Sequence, residues 1–322
     1  MTGMTAIRFE ETGGPEVLRA LRLPVAGPGP GEALIRHSAI GVNFIDTYHR
    51  RGIYPVALPC TPGVEAAGTI EAVGEGVAHL APGDRCVYFS AAPGAYATHR
   101  VIDSRWLVKL PADIPDEVAA AGWLKACTTE FLVERCARVQ PGDRVVVTAA
   151  AGGMGLLLCQ WLRAVGAQVI AVASTEGKRA LAMTHGADHA IGYEAMAAEV
   201  RALTDGQGAD VVIDGVGKAT FLPALDALRR RGLLISFGNA SGPVGAFDLA
   251  ILAQKGSLFA TRPTLFDYYA NAEDFTAGTG RVLAMWPELR FTIGQRYPLV
   301  EAARCHADLE ARATTGASLL IP

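Results

Sequence analysis

Cysteine is scarce in this sequence, and its spacing excludes two classes of site. The 322 residues contain six cysteines, and no two of them lie closer together than nine positions. Such a low content excludes a disulfide-stabilised scaffold, and the absence of a C-x-x-C pair argues against structural zinc and against a redox dithiol. We therefore expect reduced thiols and a cytoplasmic protein.

The sequence also lacks a strong excess of either charge. Lysine and arginine number 29 and aspartate and glutamate number 32, which leaves a formal net charge of −3. This balance excludes a strongly basic nucleic-acid-binding protein and an acidic disordered chain. We expect no nucleic-acid partner.

Neither a secretory signal nor a membrane span is predicted. Residues 1–8 carry no basic segment followed by an apolar core. Residues 145–162 form a long uncharged stretch, but they include the clustered glycines Gly152, Gly153 and Gly155. Clustered glycines interrupt a continuous apolar helix, so this stretch is interpreted as a buried strand that leads into a buried helix. No membrane partner is expected.

Length and hydrophobic content indicate two domains. With 322 residues and 50% hydrophobic side chains, the chain can bury a sizeable core. Up to residue 122 the pattern is one of short strands separated by Gly and Pro turns. The predicted elements are strands 6–9, 18–23, 33–39 and 85–89 and a short helix over 44–51. This pattern indicates a small barrel-like β domain.

From residue 123 onward, strands alternate with helices. The predicted strands cover 143–149, 168–173, 189–192, 210–214, 233–237 and 257–261, and the predicted helices cover 154–165, 176–185, 194–204, 219–230 and 247–254. Several of the strands are continuous apolar runs, which are typical of a parallel sheet covered by helices on both faces. The sequence therefore predicts an α/β fold with a doubly wound parallel sheet of six strands, a Rossmann domain.

The segment Ala150–Gly155 lies between the first of these strands and its helix, where a dinucleotide-binding turn belongs. Gly152 would let the backbone approach a pyrophosphate and Gly155 would let helix and strand pack closely, although an alanine replaces the first glycine of the fingerprint. Gly153 and Met154 lie at the helix start, whose free N–H groups favour phosphate. This context favours a dinucleotide cofactor, with a structural turn of another α/β fold as the alternative.

The second strand favours NADP over NAD. An NAD enzyme usually carries Asp or Glu at the end of this strand to bind the ribose 2′-hydroxyl. Here the strand ends in Ser174 and Thr175, and Lys178 and Arg179 follow within one helical turn. Cationic side chains suit a 2′-phosphate, so NADPH is the expected cofactor, with Ser174 and Lys178 among its ligands. Glu176 lies nearby and weakens this argument, and a solvated helix lysine is the alternative interpretation of Lys178.

Further segments resemble one enzyme family along nearly the whole chain. They cover residues 43–48 (NFIDTY), 52–55 (GIYP), 62–68 (PGVEAAG), 149–155, 160–161, 232–239, 261–263 and 312–322. In these segments the chain resembles the quinone oxidoreductases of the medium-chain dehydrogenase/reductase superfamily, a group that includes the zeta-crystallins. The resemblance implies a GroES-like β-barrel catalytic domain of residues 1–122 and 263–322, a Rossmann domain of residues 123–262, and a homodimer joined at the edge of the nucleotide domain.

The same resemblance implies roles for individual residues. It puts Asn43, Tyr48 and Tyr54 around the nicotinamide and the substrate, and Lys178 and Tyr193 near the adenosine 2′-phosphate. The other implied cofactor positions are Thr128, Phe237, Gly238, Asn239, Arg262 and Arg312. The residue types alone give partial support, because a tyrosine presents a phenolic donor on an apolar ring, which suits a flat dicarbonyl. A core role for the tyrosines and a helix cap at Asn43 are the alternatives.

A catalytic zinc is not predicted. Zinc-dependent relatives carry Cys at the position of Asn43 and His at the position of Val64, and both ligands are missing here. The remaining histidines of this region do not stand beside a cysteine at ligand spacing. Without a Lewis acid, an easily reduced quinone or an activated alkene is a better acceptor than a simple aldehyde or ketone.

The expected activity is transfer of reducing equivalents from NADPH to a quinone bound in the cleft between the domains, with Tyr48 and Tyr54 as donors to the developing oxyanion. Two alternatives stay open: reduction of an alkenal or enone double bond, and non-catalytic NADPH binding by a sensor or structural protein. Two departures from the family pattern bear on the acceptor. Glu130 could add negative charge near the cleft, and the segment 266–291 matches the family poorly.

Overall fold

The structure, a computed structural model, describes residues 3–311 and 313–322. The chain forms two compact units, one of residues 1–124 with 291–322 and the other of residues 125–290. The chain therefore returns to the first unit at residue 291 and not at 263. Residues 263–290 stay with the second unit because the Tyr269 hydroxyl donates to Glu130 at 2.7 Å and Arg281 pairs with Glu134 at 2.8 Å.

The first unit opens with short strands and one short helix, as the Gly and Pro turns predict. Its elements are β1 (Gly3–Arg8), β2 (Arg19–Pro24), β3 (Glu32–Val42), α1 (Phe44–Arg50), β4 (Glu65–Val73), β5 (Arg85–Phe89), β6 (His99–Asp103) and β7 (Leu107–Lys109), with 3-10 turns at Pro15–Val17 and Ser104–Trp106. Gly52, just after α1, has φ +74°, a left-handed conformation that suits a residue without Cβ.

The second unit alternates helices and strands. Its elements are α2 (Asp116–Glu130), which starts in the first unit and continues as a π-helix over Phe131–Cys136, β8 (Arg144–Val147), α3 (Gly153–Ala164), β9 (Gln168–Val172), α4 (Glu176–Thr184), β10 (His189–Ile191), α5 (Met196–Leu203), β11 (Ala209–Asp214), α6 (Phe221–Ala227), β12 (Leu228–Ser236), α7 (Ala250–Gln254), β13 (Phe259–Thr261), α8 (Leu265–Tyr268) and α9 (Ala272–Met285), then a 3-10 turn at Trp286–Glu288.

The six strands β8–β13 form one parallel sheet in the order β10-β9-β8-β11-β12-β13. This order is that of a dinucleotide-binding Rossmann fold, with the switch point beside β8. The predicted fold class is thereby confirmed. Because the strands are parallel, the loops that follow them gather at one edge of the sheet, and most of the predicted cofactor residues lie in those loops.

The chain returns to the first unit through β14 (Ile293–Pro298), a 3-10 turn at Leu299–Glu301, α10 (Ala302–Glu310) and β15 (Ala317–Ile321). The main sheet of this unit has the order β14-β15-β3-β4-β5-β7, and β6 pairs with the other end of β3. Strand β15 pairs antiparallel with β3, which leads directly into α1. The tail thus supports the element that carries the predicted substrate residues.

One predicted helix is too long. The helix expected over 219–230 ends at Ala227, and Leu228 begins β12. The physical reason is tertiary: Arg229 extends to Asp210 on β11, and Arg231 takes φ +58° in a bulge opposite Ala209 and Val211. Pairing with β11 therefore prevails over the helical propensity of these residues.

Candidate functional site

The predicted glycine turn joins β8 to the N-terminus of α3. Gly152 is the N-cap residue of α3, and Ala149 takes a left-handed φ of +49°. A side-chain carbon at Gly155 would collide with the carbonyl oxygen of Ala149, so only glycine fits where α3 crosses the end of the strand. The Gly152 N–H donates to the Ala149 carbonyl at 2.9 Å, and Gly153 and Met154 begin the first turn of α3. The N–H groups of a first helical turn have no partner within the helix, which is the arrangement that binds a pyrophosphate. The turn therefore fits a dinucleotide.

Tyr193 lies against this turn. It follows β10, and its hydroxyl accepts a hydrogen bond from the Ala149 N–H at 2.9 Å. The contact brings the loop after β10 to the loop after β8, although the two strands are separated in the sheet by β9. Tyr193 is half-buried, so its ring forms a wall beside the glycine turn.

The loop after β9 carries the predicted 2′-phosphate residues. Thr175 caps α4 by accepting from the Lys178 N–H at 3.3 Å, and Arg179 donates to the carbonyl oxygens of Ala173 at 3.3 Å and Ser174 at 3.5 Å. Ser174 is exposed and Lys178 half-buried. Arg179 therefore holds the loop. Lys178 has no carboxylate partner in the described part of the chain and can meet a phosphate.

The loop after β12 contains Phe237, Gly238 and Asn239. A side-chain carbon at Gly238 would collide with the carbonyl of Gly215, so the loops after β11 and β12 touch through backbone. Arg262 donates to the Ser236 carbonyl at 2.6 Å and the Gly238 carbonyl at 3.3 Å. Arg262 thus anchors this loop from the end of β13.

Sequence reasoning missed Asp214, the last residue of β11. Its carboxylate is fully buried and accepts from the hydroxyls of Thr148 at 2.6 Å and Thr220 at 2.7 Å, and from the Gly217 N–H at 2.9 Å. Asp214 thereby ties the ends of β8 and β11 together beneath the glycine turn. The available signal was an acidic residue that ends an apolar strand.

Thr128 lies on α2, half-buried among fully buried neighbours. Two residues later, the buried Glu130 accepts from the Tyr269 hydroxyl at 2.7 Å and from Arg135 at 2.8 Å. Arg135 therefore balances the negative charge that Glu130 was predicted to add, and an effect of Glu130 on acceptor preference stays a prediction. Its carboxylate instead fastens the divergent segment 266–291 to the end of α2. The predicted cofactor residue Arg312 lies outside the described residues.

In the first unit, Asn43 precedes α1 as its N-cap residue. Its backbone N–H donates to Asp46 at 2.9 Å, and its side-chain amide donates to Glu65 at 2.9 Å. The other oxygen of Glu65 accepts from the Leu124 N–H at 2.5 Å. Glu65 is fully buried and connects the start of β4, the start of α1 and α2. This bond fixes the orientation of the Asn43 amide, so the capping position and a substrate role are compatible.

Tyr48 and Tyr54 form an aromatic pair. Their ring centroids lie 5.3 Å apart at 72°, and the Tyr54 N–H donates to the Tyr48 carbonyl at 3.3 Å. Phe44 packs against Tyr48 with centroids 6.3 Å apart, and His49 lies 6.3 Å from Tyr54. Tyr48 is buried and Tyr54 half-buried. Burial lowers the pKa of His49, so this cluster is uncharged at neutral pH and suits a flat apolar acceptor.

Within residues 3–311 and 313–322, no group of three or more His, Cys, Asp or Glu side chains could hold a metal ion. Over the same ranges, no helix combines the length and the apolar character needed to cross a membrane.

Comparison with known proteins supports both parts of this description. The family model described as "Alcohol dehydrogenase GroES-like domain" matches residues 29–112, and the one described as "Zinc-binding dehydrogenase" matches residues 153–276. The chain is 46% identical to a quinone oxidoreductase of Pseudomonas aeruginosa, over 98% of this chain and 99% of that protein. It is 39% identical to a 2-haloacrylate reductase of a Burkholderia species, over 98% of each chain.

A solved structure gives the same relationship. The crystal structure of Escherichia coli quinone oxidoreductase complexed with NADPH superposes with a TM-score of 0.96 at 42% identity, covering 99% of this chain and 100% of that one. Similarity of this extent includes both units. The chain belongs to the quinone oxidoreductase family of the medium-chain dehydrogenase/reductase superfamily.

Proposed function

We propose that this protein is an NADPH-dependent quinone reductase. The observation that carries the proposal is its full-length similarity to the Escherichia coli quinone oxidoreductase solved with NADPH, at 42% identity and a TM-score of 0.96. The glycine turn before α3 supports the cofactor, because only a residue without Cβ fits at Gly155. The uncharged aromatic cluster around Tyr48 supports a flat, apolar acceptor.

The second unit carries the residues that would hold NADPH. The N-terminus of α3 would bind the pyrophosphate, while Lys178 and Ser174 would bind the 2′-phosphate beside Tyr193. The remaining proposed ligands lie on α2, in the loop after β12, after β13 and in the tail: Thr128, Phe237, Gly238, Asn239, Arg262 and Arg312. When bound, NADPH supplies a hydride.

The first unit carries the residues that would handle the acceptor. Tyr48 and Tyr54 present phenolic hydroxyls on apolar rings, so they would bind the quinone face and donate to the oxygen on which negative charge develops. Asn43 would orient the nicotinamide carboxamide or the quinone carbonyl with its fixed side-chain amide. Buried Tyr48 and half-buried Phe44 would keep water from the acceptor.

The test measures the oxidation of NADPH by its loss of absorbance, with 1,4-benzoquinone as the acceptor. The assay is repeated with NADH and in the presence of a metal chelator. Quinone turnover that prefers NADPH and is insensitive to the chelator is the expected result. The double variant Tyr48→Phe/Tyr54→Phe should lower kcat about 10²-fold and leave the Kd of NADPH unchanged, because the donors act on the acceptor only. Absence of quinone turnover by the wild-type protein would refute the proposal.

A second candidate, reduction of an activated carbon–carbon double bond, is favoured by one observation. A relative named 2-haloacrylate reductase is 39% identical over 98% of this chain. The same assay with 2-chloroacrylate and with a linear enone separates the two candidates. Turnover of these acceptors without turnover of benzoquinone would favour the double-bond reductase. NADPH binding without any turnover would favour a sensor or structural protein.

We also propose a homodimer that forms through the edge strand β13. This strand is at the edge of the sheet, and its Phe259 side chain is 61% exposed. Leu249, just before α7, is a second exposed apolar side chain of this unit, at 71%. Phe259→Glu should convert a dimer to a monomer in light scattering. Val300→Glu is the control, because Val300 is 62% exposed in the first unit. A monomeric wild-type protein would contradict the proposal.

A cytoplasmic location is proposed on the state of the thiols. All six cysteines are free, and burial raises the pKa of Cys86, Cys159 and Cys305 to about 12. Protonated, buried thiols resist oxidation and are typical of a reducing compartment.

A further inference from the structure

A chain of hydrogen bonds in the first unit connects the tail helix α10 to α1. Arg50 contacts His306 Nδ1 at 3.1 Å, His306 Nε2 contacts the Tyr96 hydroxyl at 2.9 Å, and that hydroxyl donates to Asp46 at 3.0 Å. The same Asp46 oxygen accepts from the Asn43 N–H at 2.9 Å. Arg50, His306, Tyr96 and Asp46 are each at most 1% exposed. We call these four residues the α1 relay.

The direction of each hydrogen bond in the relay follows from its chemistry. Arg50 has only donors, so His306 Nδ1 must accept. Burial, together with the positive charge of Arg50, lowers the pKa of His306 to about 3, so its single proton is on Nε2 and is donated to the Tyr96 oxygen. The Tyr96 proton is then available only for Asp46. The hydrogen bonds from Arg50 to His306, from His306 to Tyr96 and from Tyr96 to Asp46 thus all run in one direction, and mutually polarised hydrogen bonds of this kind strengthen one another.

The outer end of the relay is also fixed. Arg50 donates through Nη2 to both oxygens of Glu310 at 2.8 Å and through Nε to the Gly13 carbonyl at 3.1 Å. Nε, Nη1 and Nη2 of Arg50 are thus each engaged, so a rotation of the guanidinium would break a bond to Gly13, His306 or Glu310. The relay is therefore a rigid link between the tail and the first turn of α1.

We propose that Tyr96 and His306 are positioning residues, which hold the first turn of α1 through Asp46 so that Asn43 and Tyr48 keep the orientation that quinone reduction requires. The inference rests on the proposed function of Asn43 and Tyr48. Tyr96 and His306 act on the backbone N–H of Asn43 through the Asp46 carboxylate. Small displacements of positioned groups are known to cost large factors in rate.

The first unit contains a matched pair for comparison. The Tyr88 hydroxyl contacts His37 Nε2 at 3.0 Å, and both residues are buried in the same unit. Burial lowers the pKa of His37 to about 3, as at His306. The Tyr88 hydroxyl also accepts from Arg100 at 3.3 Å, and among the bonds of the described residues none joins it to Asp46 or to α1. Tyr88→Phe therefore removes the same kind of buried bond without releasing α1.

The experiment compares Tyr96→Phe with Tyr88→Phe in the full-length protein. The readouts are kcat with benzoquinone, the Kd of NADPH, and hydrogen exchange of the amides at residues 43–47. For Tyr96→Phe, kcat should fall about tenfold and exchange should accelerate, while the Kd of NADPH stays within about twofold. Tyr88→Phe should change neither kcat nor exchange at α1. Equal effects of the two variants on kcat and exchange would overturn the proposal.

A second pair of variants tests His306. His306→Gln keeps one acceptor and one donor and should retain most of the turnover, whereas His306→Leu removes both and should behave like Tyr96→Phe. Equal loss in Gln and Leu variants would overturn the positioning role. If the wild-type protein does not reduce quinones, the proposed function fails, and the exchange data alone then decide whether the relay holds α1.

Discussion

The two units hold their candidate site residues by different means. In the second unit the site is mostly backbone: the N-terminus of α3, the glycine contact at Gly155, and the Tyr193 hydroxyl on a main-chain N–H. In the first unit it is held by buried side chains, with Glu65 on the Asn43 amide and the α1 relay on Asp46. A backbone site fails where a Cβ is added, whereas a side-chain network fails where a hydrogen bond is removed.

Adding one carbon at Gly155 should give the largest effect. Gly155→Ala places Cβ against the Ala149 carbonyl, so α3 must move away from β8. We expect a loss of about 3 kcal/mol in the free energy of unfolding and about 10²-fold weaker NADPH binding. Gly177→Ala in α4 is the control, because its Cβ meets nothing within 4 Å. Unchanged NADPH affinity in Gly155→Ala, measured by fluorescence titration, would show that the backbone contact at Gly155 does not hold the cofactor site.

Acid should destabilise the first unit through its buried histidines. Burial lowers the pKa of His37 and of His306 from 6.5 to about 3, so both stay neutral in the folded protein. Below about pH 6.5 the unfolded chain binds protons that the folded chain cannot, so the free energy of unfolding falls by about 1.4 kcal/mol per pH unit for each histidine until about pH 3. Above pH 6.5 the histidines are neutral in both states, so none of the free energy of unfolding is lost to their protonation.

Urea unfolding at a series of pH values measures this slope. His306→Gln should make the dependence shallower by about one proton, because one buried histidine is gone. An identical slope in wild type and variant would show that His306 protonates freely in the folded state. In that case, hydrogen exchange at low pH should also show that the first unit does not open before the second.

Removing the Lys178 ammonium should produce a moderate change confined to the cofactor. Lys178→Ala should weaken NADPH binding about tenfold and leave NADH binding unchanged, because only the 2′-phosphate loses its partner. Lys255→Ala, which removes an ion pair with Asp226 in the same unit, is the control. The ratio of kcat/KM for the two cofactors is the measurement. Equal losses for both would place Lys178 outside the phosphate site.

The smallest effect is expected at Glu130. Glu130→Gln weakens its bonds to Arg135 and Tyr269, which should lower the free energy of unfolding by about 1 kcal/mol. Turnover of benzoquinone should stay within about twofold, because Arg135 already neutralises the charge. Glu273→Gln, at an exposed position of α9, is the control. A large change in KM for the quinone would restore a direct role for Glu130 in acceptor choice.

Local sequence patterns were sufficient to predict most of the fold of the second unit. Apolar strands, helical spacing and the turn at Ala150–Gly155 follow from residues that are close in the sequence, so the six-stranded sheet was predictable. The predictions were wrong where contacts with residues far away in the sequence determine the end of an element or of a unit. The helix predicted over 219–230 stops at Ala227 because β11 pairs with the following residues, and the return to the first unit shifts to residue 291 because Tyr269 binds Glu130.

The sequence by itself determined the Rossmann sheet, the glycine turn and the family. Only the tertiary structure decided that Glu130 is neutralised, that Asp214 ties two strands together, and that Tyr96 and His306 support α1. The physical reason is separation along the chain. Periodicity and turn motifs reflect forces between residues a few positions apart, whereas Tyr96 meets His306 across 210 positions, and no local pattern records such a contact.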